Sequence, residues 1–586
     1  MRFESLREMA GLKEYLWRFR LDYLKGFLFL FLSVLFTLFI PRILKEAIDG
    51  LKHGVPPRTL VSYAALIVLL ALAQGFFKFW MRTILIGLSR KIEYLLRNDF
   101  FAHLQTLSLS FFQAMRTGDL MSRATNDLNA VRSFLGPGIM YFANALALII
   151  LDLGFMVLIN WKLTLSILIP VPLISLLVFI FARKLHIRSR AVQEQFSVLN
   201  SQVQENFSGI RVIKAYVRED RMSARFQQAN DVYLQKNMEL VKVWGFFHPL
   251  ISFLGGFFLL FILWLGGRQV ISGQMSLGGL VAFISYVGLL IWPAISLGWV
   301  INLFQRGAAS MGRIHEILQI RPEIEDSPAA TLSFSPRGNI EFDHVTFAYG
   351  PEGPEILQDI NLGIQPGQSI GIVGRTGAGK STLVSLIPRL YDVKSGQIRL
   401  DGQAIDQIPV RLLRSKIGYV PQEAFIFSDS IRHNIGLGMA TESHEQVMEA
   451  AIFSHLFGEI EELPQKFETV VGERGVTLSG GQKQRLAISR ALVRKPPILI
   501  FDDVFSSVDL QTESRILQKV RPLMAGCTCI IVAHRLSTVR DCDRIYVLEQ
   551  GRIVESGHHE GLMAQNGIYA RMYQRQLLIQ ELEEEG

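Results

Sequence analysis

Charge is scarce in this chain: Asp, Glu, Lys and Arg make up 19% of its 586 residues, where ordinary soluble domains hold about a quarter. With 49% hydrophobic residues, an ordinary soluble protein is excluded and a membrane class follows. Cysteine is equally sparse, with three residues, Cys527, Cys529 and Cys542, all near the C-terminus. They have neither CxxC pairing nor an accompanying histidine cluster, so metal and disulfide frameworks are set aside. Reduced, buried thiols of a cytosolic domain are expected instead. No basic block interleaved with aromatics occurs, so the net charge of +8 is assigned to membrane topology rather than to nucleic acid. The opening Met1-Arg2-Phe3-Glu4 is mixed in charge and does not read as a cleaved secretion signal.

Long apolar runs fill the first half. A bilayer core of about 30 Å needs about 20 helical residues. Six segments meet or approach that length, roughly 26–44, 59–86, 133–158, 163–183, 245–267 and 274–302. Six spans put both termini on one side. Arg2, Arg7, Lys13, Arg18 and Arg20 precede the first; Arg183, Lys184, Arg188 and Arg190 follow the fourth; Arg306 and Arg313 follow the last. By the positive-inside rule that side is the cytoplasm. Residues 12–19, with Tyr15 and Trp17 among charges, read as a helix lying along the interface. The outer link between spans three and four is little more than Asn160-Trp161-Lys162, whereas the inner connections, about 87–132 and 184–244, are long and helically periodic. Helices that continue into the cytoplasm are expected there, because structureless loops of that length are uncommon.

At 586 residues one core is too few. Texture changes near Arg321-Pro322-Glu323-Ile324-Glu325-Asp326-Ser327-Pro328, a polar stretch punctuated by proline, after which β-branched runs alternate with helical ones. The expected organisation is a six-span α-helical transmembrane domain over residues 1–315, a linker over 316–338 and an α/β nucleotide-binding domain over 339–586. Within the last, Gly374-Arg375-Thr376-Gly377-Ala378-Gly379-Lys380-Ser381, followed by Thr382, is a P-loop between an expected strand at 369–373 and a helix at 381–390. Backbone N–H groups of such a turn cradle the phosphates of ATP; Lys380 reaches the terminal phosphates and the Ser381 hydroxyl can sit on Mg²⁺. The helix N-terminus adds a dipole that favours anions.

Six further elements resemble those of ATP-binding-cassette (ABC) proteins, in that family's order. Leu478-Ser479-Gly480-Gly481-Gln482 resembles the signature, which in the family closes over a nucleotide held by a different subunit. Residues 497–503, ending in Asp502-Asp503, resemble a Walker B strand in which Asp502 holds Mg²⁺. Tyr349 resembles the aromatic that stacks on adenine, and Gln422 the Q-loop contact to Mg²⁺ and water. Ser506-Ser507-Val508-Asp509 resembles the D-loop and His534 the switch histidine at the γ-phosphate. The resemblance covers essentially the whole chain and is to half-size ABC exporters of the multidrug and lipid-flippase type. Phe111-Phe112 with Thr117–Leu120 and Arg123, and Gly209–Ala215, look like the coupling-helix regions of that family.

One departure stands out. Most of the family carries Glu where this chain has Asp503, and Asp is one methylene shorter, about 1.5 Å. A misplacement on the order of 1 Å can cost about 100-fold in rate, so the chain's own site is expected to bind ATP and hydrolyse it slowly. The resemblance implies a second half-transporter as partner, a heterodimer in preference to a homodimer, with Ser479, Gly481 and Gln482 completing the partner's site. It implies ATP and Mg²⁺ as cofactors, a cytoplasmic-membrane location with termini and nucleotide domain inside, and export or flipping of amphipathic small molecules or lipids. A peptide or bacteriocin exporter and a homodimeric lipid flippase are the alternatives; an importer and a soluble nucleic-acid ABC protein fit the sequence poorly.

Overall fold

The apolar runs become helices much longer than a bilayer is thick. The computed structural model describes residues 9–52, 54–327, 334–350, 353–439, 441, 443–472, 475, 478–506, 510–524 and 526–585. The chain divides into two units: Met1–Phe101 with Met121–Gln319, and Ala102–Leu120 with Ile320–Gly586. The stretch 102–120, which the sequence places in an inner loop of the membrane domain, thus belongs with the nucleotide-binding half. Ser108 Oγ donates to Glu323 at 3.1 Å within that second unit.

The first unit is built on α1 (Arg20–Lys52), α2 (Pro57–Leu104), α3 (Ile139–Leu168), α4 (Val171–Ser208), α5 (Glu219–Ile271) and α6 (Leu277–Leu318). Among the described residues, five helices are long and apolar enough to cross a membrane. The expected fourth span runs through the end of α3 and the start of α4, where the side chains of 171–175 lie outside the described residues. Asn160 breaks helical geometry inside α3 (φ −160°, ψ 102°), at the expected outer link. Two short helices, Met9–Leu12 and Lys13–Arg18, precede α1, and Tyr15 Oη donates to Asp99 at 2.5 Å.

The core of this unit is α6 against α3 and α1, whereas α4 and α5 pack chiefly against each other. Tyr286 of α6 is fully buried and donates to the Leu38 carbonyl at 2.8 Å. At the other end, Asp127 is buried and accepts from Ser310 Oγ and Arg313 Nε, both at 2.9 Å. A carboxylate that far from water is tolerable only because it is paired and hydrogen-bonded. Between the long helices, the connection Gly209–Arg218 leaves Ile210, Val212, Tyr216 and Val217 exposed.

The second unit is a two-sheet α/β body. β1 (Ile340–Ala348), β2 (Glu355–Ile364), β4 (Ser395–Leu400) and β5 (Gln403–Ala404) form an antiparallel sheet in the order β2-β1-β4-β5, with β3 (Ser369–Gly374) assigned to the other sheet. With β6 (Ile417–Val420), β7 (Ile498–Asp502), β8 (Thr528–Val532), β9 (Arg544–Glu549) and β10 (Arg552–Gly557), β3 makes a six-stranded sheet ordered β10-β9-β3-β8-β7-β6. Its central strands are parallel and buried on both faces, which is why they read as unbroken apolar runs. The three cysteines are buried and unbridged, as the sequence implies.

Replacing Ile500, fully buried in β7, by Ala is expected to cost about 2–5 kcal/mol. The same change at Val554, 45% exposed, should stay within about 0.5 kcal/mol. Heat unfolding of the purified full-length variants checks this; similar midpoints for the two would contradict the assigned core.

Candidate functional site

Strand β3 runs straight into a turn that only glycine can make. Gly374 lies at φ 154°, and a Cβ there would come within 2.1 Å of the Leu548 carbonyl oxygen. Gly379 sits at φ 99° immediately before α7 (Lys380–Leu386). That helix is shorter than the sequence reading of 381–390. Pro388 brings no N–H, and Arg389 turns into the left-handed region at φ 50°. Within the turn, Arg375, Thr376 and Gly377 are exposed, whereas Ala378 and Lys380 are buried.

The Lys380 ammonium donates to the carbonyls of Gly374 at 2.9 Å and Arg375 at 3.0 Å. Burial lowers its pKa from the usual lysine range, and the nearby Asp503 and Asp502 carboxylates oppose that shift. Asp502, at the end of β7, accepts from Ser381 Oγ at 2.8 Å and from Tyr419 Oη at 3.3 Å. Its carboxyl is held above the usual carboxylate range, chiefly by burial and further by Asp503; the Ser381 and Tyr419 hydrogen bonds and Lys380 pull it back. A serine hydroxyl and a carboxylate in contact are hard oxygen donors that suit Mg²⁺. The residues present therefore fit the ion.

Asp503 occupies the left-handed region at φ 50°, where Asp is among the better-tolerated side chains. Its carboxylate accepts from Gln422 Nε2 at 3.3 Å and from the His534 backbone N–H at 3.3 Å, and lies 3.7 Å from His534 Nε2. Gln422 thus reaches Asp503 rather than the Ser381–Asp502 pair. Ser506 Oγ donates to the Asp503 carbonyl at 3.0 Å, while Asp509 lies outside the described residues. Tyr349 is 43% exposed, its hydroxyl 2.9 Å from Thr382 Oγ1 and its ring edge-on to Tyr391. An open aromatic face beside the phosphate turn suits a purine.

The signature residues stand apart. Ser479 caps α8 (Gly480–Leu492) in a capping box with Gln482, and both Ser479 and Gly480 are exposed. Gln482 Nε2 donates to Glu459 at 2.9 Å, and Leu478 is half-buried just before the cap. Among the described residues, no hydrogen bond or ion pair joins residues 478–482 to the Lys380–Asp502–Asp503 cluster.

Two supporting groups escaped the sequence reading. Tyr419, three residues before Gln422, contacts Asp502; its place beside that glutamine was the available signal. Gln576 bonds the His534 carbonyl at 2.6 Å and the Leu536 N–H at 2.9 Å, and its remoteness in sequence hid it.

Comparison with known proteins agrees with this geometry. Residues 23–294 match the ABC transporter transmembrane region and 357–506 match the ABC transporter family. The chain is 40% identical, over 92% of its own length and 93% of the relative's, to the probable multidrug resistance ABC transporter ATP-binding/permease protein YheI of Bacillus subtilis. It is 37% identical, over 82% and 84%, to the ATP-dependent lipid A-core flippase of Desulfotalea psychrophila. A solved bacterial Atm1-family ABC exporter with ATP bound superposes with a TM-score of 0.76 at 29% identity, covering 95% of this chain and 98% of that one.

A Mg²⁺ ion held by Asp502 would need that carboxylate ionised, and its raised pKa would let protons compete at a higher pH than at an ordinary carboxylate. Mg²⁺-dependent nucleotide affinity should therefore weaken as pH falls, beginning at a higher pH than an ordinary carboxylate would set. Tyr419→Phe, which deletes a hydrogen bond that lowers that pKa, should move the onset to higher pH. Titration with a fluorescent ATP analogue across pH checks this; coincident wild-type and variant profiles would contradict it.

Proposed function

The chain belongs to the ABC transporter family, with the fold of a half-size exporter, and on that premise we propose that it is one half of a dimeric pump. ATP hydrolysis in this family is coupled to transport, and the proposed cargo is amphipathic small molecules or lipids moved out of the cytoplasmic leaflet. The observation that carries the dimer is the separation within one unit of two half-sites. One is a phosphate-binding cluster at Lys380, Ser381 and Asp502; the other is an exposed signature cap at Ser479, bonded to Glu459 and not to that cluster. Each half-site needs a complement that a second cassette carries.

In the proposed cycle Lys380 exchanges the Gly374 and Arg375 carbonyls for the terminal phosphates of ATP. Bound Mg²⁺ would neutralise developing phosphate charge, held by Ser381 and Asp502. Gln422 and His534, both in contact with Asp503, report on the terminal phosphate from two different loops. ATP favours the closed pair of cassettes, so closure is a population shift. The tip between α4 and α5, with Val212, Tyr216 and Val217 exposed, suits a cleft on the partner's cassette. The positive-inside pattern supports a cytoplasmic side for the termini and cassettes.

Asp503 favours a heterodimer. Its carboxylate is shorter than Glu and already engaged by Gln422 and the His534 amide, which supports slow hydrolysis at this chain's own site while its signature serves the partner's. The purified chain alone should hydrolyse ATP poorly, and Asp503→Glu should raise turnover by up to about 100-fold. Rapid hydrolysis by the lone wild-type chain would overturn this. Lys380→Ala should abolish the residual hydrolysis of the lone chain and, by leaving one half of the closed pair without ATP, sharply reduce ATP-dependent uptake of a fluorescent amphiphile into inverted vesicles holding the chain with its mate; undiminished uptake would refute the pump reading.

A further inference from the structure

Among the ionisable residues in or near the spans, Asp152 is sealed at 0% exposure, and the side chain of His248 lies outside the described residues. Lys78 and Arg82 differ from both. They are exposed, one helical turn apart on α2, and among the described residues neither has an acidic partner. Residues 59–77 and 83–89, on either side, contain no charge. Lys78 lies 21 residues into α2, about 30 Å along its axis, so the pair sits near the inner end of the bilayer's hydrocarbon layer.

The two cations line a groove of about 510 Å³ with Gly75, Phe79, Thr83, Ile86 and Gly87. A Cβ added at Gly75 or Gly87 would meet nothing within 4 Å, so the groove is open at both ends. Arg82 is not simply reaching for water. Its Nη2 donates to the Tyr141 hydroxyl of α3 at 3.3 Å, and the Tyr141 ring meets Trp299 of α6 edge-on at 5.4 Å. This anchorage holds the guanidinium fork beside the groove, and among the described residues its other N–H groups make no hydrogen bond. In the most apolar stretch of α2, no residue is buried within the chain.

We propose that this groove receives the phosphate headgroup of an anionic amphiphile lying in the inner leaflet, taken up there as cargo. The inference rests on the exporter reading and names its substrate class. A planar guanidinium fork matches phosphate oxygens bidentately, and an ammonium one turn away adds a point charge. Exposed Phe76, Phe79 and Trp80 offer an apolar bed for the chains attached to that head.

The test uses the full-length protein in detergent–lipid micelles without nucleotide, with spin-labelled phosphatidylglycerol and phosphatidylcholine as probes. Each basic residue near an anionic headgroup is worth roughly fivefold, so wild type should hold phosphatidylglycerol at least about tenfold more tightly. Lys78→Gln with Arg82→Gln should bring the ratio near one, and the charge-conserving Lys78→Arg with Arg82→Lys should restore most of it. Equal binding of the two probes by wild type, or selectivity surviving the double Gln variant, would overturn the proposal. Because no nucleotide is present, a failed pump leaves this binding readable. ATP-driven uptake of phosphatidylglycerol that persists in the double Gln variant would defeat the cargo site while leaving the pump intact.

Discussion

Parallel pairing of three buried strands is the constraint on which the nucleotide chemistry depends. In register, Ile372 of β3 faces Val532 of β8, and Val532 faces Asp502 of β7. The carboxyl ends of these strands therefore finish side by side: Asp502 closes β7, and the loops leaving the strands carry the glycine turn, His534 and Asp503. None of those groups could be held by its own loop alone. Ligands in open α/β sheets bind beyond the strand carboxyl ends for this reason. Hydrogen bonds from Ser381 to Asp502 and from Gln422 to Asp503 then tie neighbouring loops together.

A second constraint governs the other unit. In hydrocarbon every backbone polar group must be satisfied within its own helix, which forces continuous helices through the bilayer. These continue well beyond it, α2 over 48 residues and α5 over 53. Rigid extensions of that length carry displacement over tens of ångströms without a separate linkage. Ion pairs such as that of buried Asp127 with half-exposed Arg313 fix the extensions to one another, where apolar packing alone specifies register weakly.

Much of this was legible in the residues, for stated reasons. The P-loop could be read because a glycine pattern between a strand and a helix has few other uses. The spans could be read because lipid imposes length and apolarity. The inner connections were read as continuing helices, and α2, α4 and α5 continue as expected. What sequence hid was long-range. That 102–120 belongs with the cassette half depends on contacts such as Ser108 with Glu323, more than two hundred positions apart. That Gln422 engages Asp503 instead of the Ser381–Asp502 pair depends on a side-chain rotamer that no motif encodes. The end of α7 was misjudged because apolar periodicity outlasts the helix, which stops at a proline and a left-handed arginine.

The buried thiols have a practical corollary. Burial pushes Cys527 up to about 11 and holds Cys529 well above the ordinary thiol range, so neither offers a thiolate at neutral pH. Cys542 is also buried. Alkylating spectroscopic tags should therefore pass over the native sulfurs. A cysteine engineered at exposed Val217 would then be the preferred attachment point, allowing the position of that tip with and without nucleotide to be read as a distance without first stripping the chain of its own cysteines.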